Sequence, residues 1–209
     1  HTDEAAFDIQ FGNLTRKIHR NTSWDEARFE SCGQKWMDMS EGHYGVSLLN
    51  DCKYGHSALD GVMTLTLIKS GIEPNPTADQ EEHTFTYALY PHAEGWRQAN
   101  TVQEAMKLNQ PLLSEEGGHA GCQNSFVWVD KSNVIIETVK MAEDDDGIIV
   151  RLYESENAKT KAHIFFGEKI SSVESCNCLE EIKQTIETDG EGFEITVKPY
   201  EIQTYRVRF

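Results

Sequence analysis

Apolar and polar residues alternate with period two along most of this chain, the spacing of strands with one buried face. Phe7, Ile9 and Phe11 alternate with Asp8 and Gln10. Residues 29–36 and 44–49 read as strands. Met63, Leu65 and Leu67 form a third run, and Phe85, Tyr87 and Leu89 alternate with Thr84, Thr86 and Ala88. Aromatic and β-branched residues fill these runs, as pleated surfaces favour. Asp60-Gly61 marks a turn, and residues 72–80, with Pro74 and Pro76, read as an irregular loop. After residue 124 strands follow at short spacing: 125–129, 134–141, 148–153, 163–166, 171–177, 193–197 and 204–209. Turns fall at Asp144-Asp-Asp-Gly147 and Asp189-Gly190. That spacing predicts a small antiparallel sandwich. One helix interrupts the pattern. Thr101 and Glu104 have capping-box spacing, Val102, Ala105 and Met106 share a face, and Pro111 closes the segment. Residues 114–121 hold three glycines and mark a linker.

With 209 residues, 38% of them hydrophobic, the chain can build one large domain or two smaller ones. Its formal charge of −16 repels phosphate backbones and anionic lipid, which argues against nucleic-acid and membrane-surface partners. Five cysteines, an odd count without a regular framework, suit a reducing cytosol. Cys176 and Cys178 sit two apart, so on a strand both face the same way. The chain opens on His1 and enters a strand almost at once, which reads as a piece of a longer protein.

Chemistry is harder to find. No Gly-x-Ser-x-Gly, phosphate loop, dinucleotide fingerprint or His-Glu-x-x-His occurs. His119-Ala-Gly-Cys122 is a weak metal pattern without a second pair of ligands. Asp144, Asp145 and Asp146 read as solvated turn charges. Two polar segments stand at strand ends, where binding groups collect: residues 49–56, with Asp51, Lys53 and Tyr54, and residues 79–83, with Asp79 and Gln80. Trp24, Trp36, Trp96 and Trp128 suit either a core or the stacking face of a sugar site.

Longer strings carry more. Asn21-Thr-Ser-Trp-Asp-Glu-Ala-Arg-Phe-Glu30, Gln34-Lys-Trp36 and Tyr44-Gly-Val-Ser-Leu-Leu-Asn-Asp-Cys-Lys-Tyr-Gly-His56 resemble the C-terminal β region of family 38 α-mannosidases of the bacterial and fungal type. So do Ala78-Asp-Gln80, His83-Thr-Phe-Thr-Tyr-Ala-Leu-Tyr-Pro-His92 and Pro199-Tyr-Glu-Ile-Gln-Thr204. The resemblance implies an all-β chain: a large galactose-mutarotase-like β-sandwich over residues 1–124, then a small immunoglobulin-like sandwich over 125–209, with one short helix near 101–109.

It further implies a parent enzyme that cleaves terminal α-linked mannose with retention, through a carboxylate nucleophile and a divalent metal, usually zinc. In that layout the nucleophile and metal ligands lie upstream, so no catalytic or metal-binding residue is assigned here and the fragment itself takes no cofactor. The expected partners are the parent's own catalytic domain and the mannoside, with a cytoplasmic location and a homo-oligomeric parent. Asp51, Lys53, Tyr54, Asp79 and Gln80 are the expected substrate-bordering residues. Where relatives tend to have Gly after the Asp-Gln pair this chain has Glu81, which predicts a more restricted loop. The rival readings are a free-standing carbohydrate-binding module, which needs an exposed aromatic platform, and a mutarotase-like enzyme, which needs a facing acid and base.

Overall fold

The computed structural model describes residues 2–114, 116 and 125–209. These divide into two compact units at Leu113/Ser114. The domain boundary expected at 124/125, most of the expected linker and the His119/Cys122 pattern lie in or at the edge of the segment outside the described residues.

The first unit is built around a five-stranded antiparallel sheet, in the order β2 (Gly12–Lys17), β1 (Glu4–Ile9), β4 (Trp36–Ser40), β5 (Tyr44–Asn50), β8 (Tyr87–Ala93). A smaller sheet joins β3 (Ser31–Cys32), β6 (Gly55–Leu59) and β7 (Val62–Thr66). Alternation assigns the faces. Ala5, Phe7, Met37 and Leu48 meet Ala58, Met63 and Leu65 of the smaller sheet in an apolar core. The other face of the large sheet carries Trp36, Asp38 and Ser47 and is covered by α2 (Thr101–Asn109) and the segment before it; Trp36 meets Trp96 at 5.1 Å. Pro91 is tolerated in β8 because β8 is an edge strand.

Several sequence expectations change here. Residues 29–36 are not one strand. A short helix, α1 (Ser23–Ala27), precedes them, and its capping box is Thr22 with Asp25. The chain leaves that helix at Arg28, pairs only at Ser31–Cys32, and re-enters the large sheet at Trp36. The box expected at Thr101 and Glu104 is absent. The N-cap is Asn100, with left-handed backbone and no side-chain cap bond, while Thr101 is fully buried with its hydroxyl 2.9 Å from Ser47 Oγ. The core claimed that hydroxyl, and Glu104 pairs with Lys107 instead. The strand around Phe85 starts only at Tyr87, and β6 was not foreseen.

The second unit is a two-sheet sandwich. One sheet runs β10 (Val134–Met141), β11 (Ile148–Glu154), β16 (Ile202–Arg208), β13 (Ser172–Cys176), β14 (Ile182–Ile186). The other runs β15 (Gly192–Val197), β12 (Thr160–Phe166), β9 (Val127–Val129). All pairings are antiparallel. A continuous core that includes Val150, Leu152, Ile164, Phe193 and Val207 lies between them. Of these strands β14 was missed, because Lys183, Gln184 and Thr185 give no apolar period. Cys176 ends β13 and is buried, whereas Cys178 lies past the strand and is exposed, so the two thiols do not share a face. The three turn aspartates are not merely solvated. Asp144 pairs with Arg206 at 2.7 Å and Asp146 with Arg208 at 2.8 Å, while Gly147 turns the chain at a positive φ of 96°.

Candidate functional site

The strongest polar recess of the first unit forms where β5 ends. Asn50, the last residue of that strand, is buried and uses its whole side chain. Its Nδ2 donates to Gln34 O at 2.7 Å, and its Oδ1 accepts from Cys52 N at 3.2 Å and Lys53 N at 2.6 Å. That side-chain turn folds residues 51–54 back over the strand end. Asn109, at the end of α2, donates to Asn50 O at 3.0 Å, which ties the helix to the same point. The result is a pocket of about 140 Å³ lined by Lys35, Asn50, Asp51, Lys53, Tyr54 and Asn109 among others.

Three of the five expected residues therefore meet. Asp51 Oδ2 accepts from Thr86 N at 2.9 Å, and Asp51 N returns a bond to Thr86 O at 3.2 Å. The Cys52 thiol and the Thr86 amide hold the Asp51 carboxyl below its usual range, so it is a carboxylate at neutral pH. Lys53 Nζ sits 4.7 Å from the centre of the Phe85 ring, and Tyr54 is exposed. Behind the loop, His56 is fully buried and burial pushes its pKa down. Its Nε2 faces Asn50 Nδ2 at 3.4 Å and its Nδ1 faces Tyr54 O at 3.3 Å. That pairing assigns the single ring proton to Nδ1.

Asp79 and Gln80 do not line this pocket. They are held inside their own loop: His83 Nε2 lies 2.9 Å from Asp79 O, and Gln80 Nε2 donates to Pro76 O at 3.2 Å. The left-handed residue there is Asp79, with φ 57°, and Glu81 takes a negative φ that a non-glycine residue adopts without strain. The downstream end of this loop reaches the pocket at Phe85 and Thr86.

Sequence reasoning missed Lys35, Asn50 and Asn109, whose types are common at strand and helix ends and gave no signal. It also missed a buried network on the helix-covered face of the sheet. Asp38 Oδ2 accepts from Ser47 Oγ at 2.8 Å and lies 2.8 Å from His92 Nε2, and Ser40 Oγ donates to Oδ1. Gly45 is required there, because a Cβ would lie 2.3 Å from both the His92 ring and Ser40 Oγ. Although it contains Ser, His and Asp, this is no catalytic triad. Serine and carboxylate both face the same ring nitrogen, His92 Nε2, and every member except the partly buried Ser40 is buried from solvent, whereas a triad sets the imidazole between an accessible hydroxyl and the carboxylate, one ring nitrogen facing each. The tryptophans divide: Trp36 and Trp96 are core, Trp24 is exposed, and Trp128 stacks on Phe165 at 5.4 Å. Among the described residues no three His, Cys, Asp or Glu side chains group to hold a metal ion. No helix among these residues is long and apolar enough to cross a membrane.

The arrangement of the pocket can hydrogen-bond a hydroxyl-rich ligand through the Asp51 carboxylate, the Lys53 ammonium and the Tyr54 phenol, while Asn50 and Asn109 hold its shape. The glycosyl hydrolases family 38 C-terminal domain matches residues 1–77, and the family 38 C-terminal beta sandwich domain matches residues 133–205. Alpha-mannosidase G of Dictyostelium discoideum is 38% identical over 210 residues, covering 97% of this chain and 19% of that protein. The alpha-mannosidase of Saccharomyces cerevisiae is 33% identical over 231 residues, covering 99% of this chain and 21% of that protein. The crystal structure of an alpha-mannosidase from Enterococcus faecalis superposes with a TM-score of 0.77 at 20% identity, over 98% of this chain and 24% of that one, which shows the shared fold. The chain thus spans about a fifth of the length of the relatives it matches. It belongs to glycosyl hydrolase family 38, of which it carries the C-terminal β region.

Proposed function

We propose that the chain is the non-catalytic C-terminal part of an α-mannosidase that hydrolyses terminal α-linked mannose with retention. The observation that carries this reading is the pair of family 38 C-terminal matches, one in each structural unit, joined by α-mannosidase relatives that align along almost the whole chain. In this reading the carboxylate nucleophile and a divalent metal, zinc by the chemistry of the family, belong to the upstream catalytic domain. That domain and the mannoside are the partners, and the parent is a homo-oligomer. An apolar recess on the first unit, lined by Met39, Tyr44, Val46, Met63 and Leu89, with Tyr44 and Leu89 exposed, supports a role in covering or being covered by another domain. Four of the cysteines are free, three of them exposed, which supports a reducing, cytoplasmic location.

Asp51, Lys53 and Tyr54 are the residues proposed to border the sugar cleft, with Asp79 and Gln80 as a second rim on the neighbouring loop. Division of the chain into a larger sandwich and a smaller one near residues 113–124 completes the proposal. The test has two arms. The purified chain is assayed on an aryl α-mannoside with and without zinc and shows no turnover above a blank. In the full-length enzyme, Lys53→Ala lowers kcat/KM about 10-fold, the cost of one charge-assisted hydrogen bond, with thermal stability nearly unchanged. Turnover by the chain alone overturns the division of roles, and a full-length Lys53→Ala enzyme with unaltered kinetics removes the pocket from the cleft.

A further inference from the structure

An otherwise acidic chain gathers five basic side chains at one small recess. Arg16, Lys17, His19, Arg20 and Arg28 all line an enclosed space of about 20 Å³ in the first unit, between the end of β2, helix α1 and the smaller sheet. Their counter-ions do not balance. Lys17 is paired with Asp3 and Glu4, and Arg28 with Asp25. Asp25, the acidic residue in the lining, is spent: its Oδ1 takes Arg28 and its Oδ2 takes the amide and hydroxyl of Thr22. Arg16 and Arg20 have no carboxylate partner among the described residues.

Two nitrogens in this recess are buried and unbonded. Arg16 stacks its guanidinium 4.6 Å over the Phe7 ring, which fixes its plane, and its Nη1 is buried without a hydrogen bond. His19 Nδ1 is also buried without a hydrogen bond, with Asp25 Oδ2 3.5 Å away. Buried donors in native proteins are almost always paired, and a guanidinium without an acceptor is the costlier kind of exception. A planar guanidinium whose orientation is already set is also the group best suited to grip an oxyanion.

We propose that this recess is an oxyanion site, with Arg16 and Arg20 as its gripping residues. The space takes about one oxygen-sized group, enough for a single oxygen of a phosphate or carboxylate whose remainder stays at the mouth beside the exposed Arg20, and too little for a sugar ring. The anion comes either free from solution, as phosphate, or as an acidic side chain from the rest of the parent enzyme. The site is separate from the Asp51 pocket, since the two share no lining residue.

The test uses inorganic phosphate on the 209-residue chain, with sodium chloride at matched ionic strength as reference. Isothermal titration shows one site. At ten times the dissociation constant, phosphate raises the melting temperature of the first unit by about 3–6 °C. Arg20→Gln, at an exposed position, leaves the melting temperature in chloride unchanged and abolishes the phosphate increment. Arg16→Gln abolishes it as well, because the buried Nη1 donor is gone. Phosphate also stabilises proteins generally by exclusion from their surfaces. An equal increment in wild type and both variants, with no heat of binding, therefore overturns the proposal. The two sources separate in the full-length enzyme: a phosphate increment persists there if the anion is free, and is lost if a side chain of the parent already fills the recess.

Discussion

The two units close two sheets over one core each, yet their interiors differ. In the second unit the core is a continuous apolar cluster drawn from both sheets, and its one fully buried carboxylate, Glu154, is satisfied by Asn133 Nδ2 and the amides of Glu156 and Tyr200. Arg206 and Arg208 pair with Asp144, Asp146 and Glu174 along the rim. In the first unit the apolar residues are split between the cluster joining the two sheets and those around α2, such as Trp36, Trp96 and Val102, and the two sheets also bury Asp8, Asp38, Ser47, Asn50, His56 and His92. Low dielectric makes such networks strong when complete and costly when broken. The difference is one of proportion: the second unit rests mainly on shape, with Glu154 as its buried carboxylate, and the first leans more on directed bonds, so they should fail under different perturbations.

The sharpest break comes from Asp38→Ala. Removing that carboxylate strands the buried donors Ser47 and His92 together, so the first unit should lose about 3–5 kcal/mol while the second stays protected. Hydrogen exchange resolved by peptide reads both at once; equal loss of protection in the two units contradicts the contrast. The counterpart is Leu152→Ala in the second unit, a fully buried apolar deletion that should cost about 3 kcal/mol with the first unit unaffected.

Acidity separates the units next. Burial holds the Asp8 carboxyl up at about 6, against about 3.9 for an exposed aspartate. The folded state therefore binds that proton more tightly than the unfolded chain. Asp8's contribution is full below about pH 4 and declines by about 2–3 kcal/mol as pH rises to 6. Burial lowers the pKa of His56, so its contribution runs the other way: present above about pH 6.5 and lost as pH falls below it. Asp8→Asn should leave only the His56 limb, so that unfolding of the first unit, followed through Trp36 and Trp96, shows stability that rises throughout pH 4–6.5. In the second unit, Arg206 and Arg208 hold Asp144 and Asp146 below the usual range. Their contribution is present above about pH 4 and lost only in stronger acid, so these turn charges leave the second unit flat across the window where Asp8 titrates. A second unit that tracks the first between pH 4 and 6 breaks the comparison.

The smallest effect is expected at the rim. Arg208 grips Asp146 with two parallel bonds, at 2.9 and 2.8 Å, and reaches Glu174 at 2.7 Å. Arg208→Gln should cost about 1 kcal/mol, a difference that shrinks in molar salt because the pairs are open to solvent. A loss that is insensitive to salt would move Arg208 from the rim into the architecture of the sandwich.

Much of the fold could be read before the structure. Strands such as β5, β10 and β16 follow from alternation, since one buried face leaves a period-two imprint. β6 escaped because His56 is buried as a polar residue and leaves no apolar imprint. The candidate site was half visible. Asp51, Lys53 and Tyr54 are contiguous in the chain and stay together in space. Asp79 and Gln80 lie in a loop whose own bonds to Pro76 and His83 decide its shape, and nothing local announces that.

By itself the sequence determined which stretches pair as strands, where Gly147 and Gly190 turn the chain, and which family the long strings resemble. Those properties depend on side-chain period, backbone freedom and identity along the chain, all of which are local. Only the tertiary structure decided that Thr101 would serve Ser47 rather than its own helix, that Asp38 would hold a serine and a histidine, and that Arg16 would stand buried without an acceptor. Each of those outcomes depends on which polar group is left to satisfy another once the sheets close. Partners 45 or more residues apart, as Ser47 and His92 are, meet only through the completed fold.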